Sequence, residues 1–91
     1  MQLEIVSPEA QLFNGEVLSI TVPGASGSFQ ILKNHASIVS TLVTGRVKIQ
    51  GEITLDEVNK SKFTQEGSNT YRDIQSGAIE LRDNKVILLT D

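Results

Sequence analysis

Apolar residues recur at every second position along most of this chain, the period at which successive side chains of a strand face opposite sides of a sheet. In Glu16–Val22 (EVLSITV), Leu18, Ile20 and Val22 fall on one face, with Ser19 and Thr21 on the other. In Ser37–Val43 (SIVSTLV), Ile38 and Leu42 flank Ser40 on one face, while Val39, Thr41 and Val43 share the other. Arg46–Gln50 (RVKIQ) sets Val47 and Ile49 against Arg46, Lys48 and Gln50. Pro23-Gly24, Gly27-Ser28 and Thr44-Gly45 are turn chemistry between these runs, at the close spacing of an all-β sandwich or barrel. Ala78–Thr90 (AIELRDNKVILLT) reads as a hairpin, with Asp83-Asn84 able to adopt the positive φ that its turn requires.

One stretch departs from this rhythm. Gly51–Asn69 (GEITLDEVNKSKFTQEGSN) is richer in charge and poor in alternation. Thr54 and Glu57 have the spacing of a capping box, and Leu55 and Val58 fit one helical face. A helix this short has little stability of its own, so an irregular excursion with short strand pieces around Ile53 and Phe63 is the expectation.

Composition changes the picture mainly by exclusion. Ninety-one residues support one modest core, so residues 1–91 read as a single domain, and with no cysteine the core must hold by packing. Met1–Val6 shows neither a basic cluster nor a long apolar run, which argues against a secretory signal. The longest aliphatic run, Val86–Leu89, is far below the ~20 residues of a membrane span, so direct membrane insertion is not expected. Eight basic and eleven acidic residues give a net charge of -3 without any basic cluster in the sequence, which disfavours nucleic acid as a partner. His35 is the sole histidine and no paired ligand spacing accompanies it, so no metal site is expected. Gly24-Ala25-Ser26-Gly27 lacks the Gly-Lys-Ser/Thr of a phosphate-cradling loop and reads as a plain turn. No local signature assembles a nucleophile, base and acid, so no catalytic residue and no cofactor is assigned, and His35 is expected to serve packing or recognition.

What the pattern does show is surplus apolar surface. In the last run both Val86/Leu88 and Ile87/Leu89 are apolar, and Val39 and Val43 oppose Ile38 and Leu42. In so small a domain, internal burial does not absorb both faces, and a protein partner is expected to cover one.

These residues also fall in a familiar order. Val6-Ser7-Pro8-Glu9, Phe13 with Gly15, Val22-Pro23-Gly24 with Gly27, Asn34-His35-Ala36, Leu42 with Gly45, Val47 and Ile49, and the closing SGAIELRDNKVILLTD resemble the N-terminal domain of the epsilon subunit of the bacterial rotary ATP synthase. The likeness spans the chain except about Gly51–Asn69, which looks like a variable insertion. It implies a two-sheet antiparallel β-sandwich in the central stalk, packed on the gamma subunit and touching the polar loops of the c-ring. By position, Ser28, Phe29 and Gln30 would face the c-ring, and Ser7, His35 and Ser40 would lie toward gamma. The resemblance further implies a non-catalytic rotor subunit that couples ion flow to ATP synthesis. It would be peripheral to the membrane, at the cytoplasmic face of the bacterial inner membrane.

Some positions depart from the family. Ser28 stands where an acidic residue is frequent, Gln30 where glycine is, and Lys33-Asn34 where Pro-Asn or Pro-Gly is common. Many relatives continue into a helical pair beyond the position of Asp91, so the resemblance implies no nucleotide bound by the present residues. Two rival readings are a small β-sandwich module binding a ligand or peptide, and a small enzyme pairing His35 with a carboxylate. The first would display an aromatic platform, yet Tyr71 and three Phe are the only aromatics.

Overall fold

Strands form where the alternation is cleanest, and the computed structural model describes all residues, Met1–Asp91. In chain order they are β1 (Gln2–Val6), β2 (Gln11–Glu16), β3 (Ser19–Gly24), β4 (Gly27–Leu32), β5 (Ile38–Leu42) and β6 (Gly45–Gln50). One 3-10 turn follows at Lys60–Lys62, then β7 (Thr64–Glu66), β8 (Asn69–Ile74), β9 (Gly77–Arg82) and β10 (Lys85–Thr90). Hydrogen bonding links them in the order β2-β1-β10-β9-β5-β3-β6-β8-β7, with β4 on the other edge of β3. The sheet folds over where β5 meets β3. That junction has one ladder position, Gly24 opposite Leu42, and the Val43 N–H donates to the Pro23 carbonyl at 2.9 Å just beside it.

Two layers result, β2-β1-β10-β9-β5 and β4-β3-β6-β8-β7, with their apolar faces turned together. Leu3, Ile5, Ile79, Leu81, Val86 and Leu88 from the first join Ile20, Val22, Ile31, Val47, Ile49 and Ile74 from the second in one buried cluster. Each such side chain contributes about 1.5–3 kcal/mol when fully withdrawn from water. The architecture is the expected all-β sandwich. Its pairing is antiparallel with one exception, β1 beside β10, which run parallel.

Three local departures have physical causes. Leu18 is 72% exposed although the alternation groups it with Ile20 and Val22. The chain crosses between layers at that point: the Val17 N–H donates to the Met1 carbonyl, and the next one, of Leu18, donates to Gln50 in the other layer. The alternation is continuous in sequence but the strand is not. Leu12 and Phe13 are both buried although adjacent, because the β1–β2 register slips by one residue between Ile5 and Val6. A bulge of this kind places two successive residues on one side. The third departure is the stretch 51–69, which is irregular as expected, but with no strand at Ile53.

The Thr54/Glu57 spacing starts no helix, and Val58 is 82% exposed, so it shares no buried face with Leu55. The segment is nevertheless anchored. Leu55 and Phe63 enter the core, and the buried Asn59 donates from Nδ2 to the Gln11 carbonyl at 3.3 Å. Its return forms β7, turned into β8 through Gly67 at φ 61°.

Candidate functional site

The outer faces of the two layers differ in chemistry. Directly opposed residues of neighbouring strands share a side of the sheet, so the registers of β1, β10, β9 and β5 define the first layer's outer surface. One row there is Val6, Leu89, Ala78 and Thr41; the next is Glu4, Ile87, Glu80 and Val39. Val39 is 75% exposed and Leu89 49%, with Val6, Ile87 and Ala78 partly covered between them. Charge interrupts this face at Glu4 and Glu80 and collects toward the hairpin end at Arg82 and Lys85.

The second layer's outer surface is solvated by design of its residues. Ser19 donates to Gln50 at 2.6 Å, and Gln30 reaches Gln50 at 3.2 Å. Thr21 and Lys48 are opposed beside them, and Lys48 in turn opposes Tyr71. Arg46 donates to the Asp73 carboxylate from Nε at 2.8 Å and from Nη2 at 3.3 Å, and its guanidinium lies 5.2 Å from the Tyr71 ring centre. The hydrogen bond from Arg46 holds Asp73 below the usual carboxylate range, and the same bond raises Arg46. On this side Leu32, opposite Ser19, is exposed among polar neighbours, whereas on the first layer Val39, Ile87 and Leu89 fall in adjoining rows.

The residues expected to face partners are dispersed. Ser28, Phe29 and Gln30 lie on β4, opposite Pro23, Val22 and Thr21. Phe29 turns inward against the core, whereas Ser28 and Gln30 are exposed. Ser40 opposes the buried Ile79 and lines a shallow depression with Ser28, Phe29 and the β3–β4 turn at Ala25-Ser26. One residue expected toward gamma thus meets two expected toward the c-ring. Gly24 closes the same corner tightly, since a Cβ there would stand 2.8 Å from the Phe29 ring.

Ser7 is buried and holds the β1–β2 turn, its N–H 2.8 Å and its Oγ 3.3 Å from the Ala10 carbonyl oxygen. His35 is exposed, with Nδ1 2.7 Å from the Ala36 carbonyl oxygen, a contact that takes the Nδ1–H tautomer. Its loop is tied to the hairpin turn: the Asn34 N–H donates to Asn84 Oδ1 at 2.7 Å, and Asn84 Nδ2 returns a bond to Asn34 Oδ1 at 3.1 Å. Ser7 follows Val6, which opposes Leu89, whereas His35 sits beside Asn84, so the two mark opposite ends of β10. Ser7, His35 and Ser40 form no single cluster. The apolar face itself was signalled in sequence by the doubly apolar Val86–Leu89 run.

A further feature had no sequence signal. Arg46, Lys62 and Arg72 line one polar notch with Ser61, Phe63, Thr64, Tyr71 and Asp73, drawn from β6, the 51–69 segment, β7 and β8. No three His, Asp or Glu side chains converge as a metal site would require.

Comparison with known proteins adds ancestry to this geometry. Residues 1–91 match the family model described as the ATP synthase Delta/Epsilon chain, beta-sandwich domain. An ATP synthase epsilon chain of Chlorobium limicola is 37% identical over 90 residues, covering 99% of this chain and 88% of that one. An epsilon chain of Leptospira borgpetersenii serovar Hardjo-bovis is 36% identical over 91 residues, and there the match covers 61% of the relative. Among solved structures, the central stalk and c-ring of the Tetrahymena thermophila mitochondrial ATP synthase contains a chain that superposes with a TM-score of 0.72 at 15% identity. That match covers 98% of this chain and 61% of the other, and at such identity it speaks for the fold alone.

Proposed function

The chain belongs to the ATP synthase delta/epsilon β-sandwich family, and from that premise we propose that it is a non-catalytic subunit of the enzyme's central stalk. It packs on the gamma subunit, contacts the polar loops of the c-ring, and turns with both so that ion flow is coupled to ATP synthesis. It is held peripherally at the cytoplasmic face of the membrane through those partners and binds no nucleotide in this role.

The observation that carries this reading is the uncovered apolar face of the first layer, centred on Val39, Ile87 and Leu89. Covering it with an apolar surface contributes about 25 cal/mol for each Å² withdrawn from water. The polar second layer needs no such cover. Gamma therefore lies against Val6, Val39, Ala78, Ile87 and Leu89, with Ser7 at the border through its neighbour Val6. The exposed β3–β4 turn, small at Ala25 and polar at Ser26 and Ser28, suits the loops of the ring. Torque demands a foot that does not deform, and a two-layer sheet with a continuous close-packed core meets that demand. Calorimetry against the cognate gamma subunit tests the assignment: binding with a negative heat-capacity change is expected from apolar burial. No heat and no complex at micromolar concentrations would count against it.

A further inference from the structure

The polar notch on the second layer is unused by the reading above, and its chemistry is specific. Three of the eight basic residues of a chain with net charge -3 meet there. A chain of this overall sign repels anions at long range, so attraction at this place must arise from local arrangement. The only carboxylate in the lining is Asp73, and it is already engaged by Arg46. Lys62 has no carboxylate partner; its Nζ contacts the neutral Asn59 Oδ1 at 3.3 Å. Arg72 donates to the Lys62 carbonyl at 3.1 Å, to Thr90 Oγ1 at 3.4 Å and to the main-chain oxygen of Asp91 at 2.7 Å, and its charge is among the causes that hold the Asp91 carboxyl below its usual range. The Asp91 carboxylate, meanwhile, accepts from the Gln75 N–H.

The cations are also held in place before any ligand arrives. Arg46 stacks on Tyr71, and Arg72 lies 5.9 Å from the ring centre of Phe63, which is itself buried. Side chains fixed in this way lose little entropy when they bind a ligand. Ser61 and Thr64 add two hydroxyl donors at the rim. The notch measures about 230 Å³, room for one phosphate group with water but below the ~300–1,000 Å³ of pockets that enclose a drug-sized ligand.

We propose that this notch binds a phosphate-class oxyanion through Lys62, Arg46 and Arg72, with Ser61 and Thr64 as neutral donors. The site is too small for a base and sugar to be enclosed, so the group recognised is the phosphate itself, either free or borne by a lipid headgroup. Arg46, Tyr71 and Asp73 reach the notch from the polar side of the second layer, whereas Arg72, opposite the buried Val47, reaches it from the edge between the layers beside Thr90.

The test is an amide-shift titration of the 91-residue chain with inorganic phosphate at constant ionic strength, run beside a chloride series. Saturable shifts centred on Lys62, Thr64, Tyr71 and Arg72 are expected in phosphate alone. Lys62→Gln and Arg46→Gln, both at exposed positions, should each weaken that binding by about tenfold, the scale of one charge-assisted hydrogen bond. Their spectra away from the notch should match the parent. Sedimentation with anionic phospholipid vesicles separates the sources. Lys62-dependent co-sedimentation identifies a headgroup, and saturation by phosphate without vesicle binding identifies the free ion. Equal, unsaturated shifts in phosphate and chloride overturn the proposal, as does saturation that both variants leave unchanged.

Discussion

Ile49 shows how far a single residue can be read. It alternates with Lys48 and Gln50 in sequence, and in the fold it is fully buried opposite Ile20 and Thr70. Ile49→Ala should therefore cost about 2–5 kcal/mol, measured by chemical denaturation; an unchanged midpoint would remove it from the core. Gly77 was marked only by its place before the hairpin. Its reason is steric, because a Cβ there would run into the carbonyl oxygen of Leu89. Asp73 gave no sequence signal and acquires its character from Arg46. Its folded pKa lies below the ordinary 3.8, so its contribution to stability is fully present above that value and is lost as pH falls through the folded one. Carboxyl resonances should show a midpoint below 3.8 that moves back up in Arg46→Gln. A parent midpoint at or above the ordinary value would refute the pairing.

Among the elements, the β9–β10 hairpin was the most legible. Asp83 and Asn84 take φ 51° and 60°, as the two-residue turn between directly paired Arg82 and Lys85 demands. The reciprocal bonds between Asn84 and Asn34 were not legible, since fifty positions separate them. The two contributions can be separated by substitution. Asn84→Ala should lose both the left-handed backbone tolerance and the side-chain bonds, a cost of about 1–2 kcal/mol or more. Asn84→Gly keeps the backbone and should be distinctly less destabilised; equal losses in urea melts would assign the whole effect to the bonds. The β1–β2 bulge and the crossover at Val17-Leu18 escaped the pattern for a related reason. Alternation reports which residues differ in face, not where one strand ends and its neighbour begins.

Across the whole molecule, the asymmetry of the two outer faces matters most. Replacing Val39 and Leu89 together with lysine should leave the denaturation midpoint nearly unchanged, because neither side chain belongs to the core. The same pair should weaken binding to gamma by at least about tenfold, or 1.4 kcal/mol. Lys48→Gln on the polar layer serves as the control and should change nothing. Full-strength binding by the double lysine variant would move the interface elsewhere on the sandwich. Ser7, His35 and Ser40 are less informative targets: Ser7 is buried in a turn, and the other two lie apart from each other.

Alternation along Glu16–Val22, Ser37–Val43 and Arg46–Gln50, and the Ala78–Thr90 hairpin with its Asp83-Asn84 turn, marked β3, β5, β6, β9 and β10 and the core residues they carry. Those features depend on neighbours in sequence, where the period of two and the φ preferences of single residues act directly. The doubly apolar last strand likewise announced an exposed apolar surface before any fold was known. What tertiary structure alone decided were the parallel pairing of β1 with β10, the exposure of Leu18, and the meeting of Arg46, Lys62 and Arg72 in one notch. Each depends on which distant strands become adjacent when the sheet folds over at Gly24 and Leu42. Spacing along the chain carries no record of that adjacency, because it is selected by burying both layers' apolar faces at once.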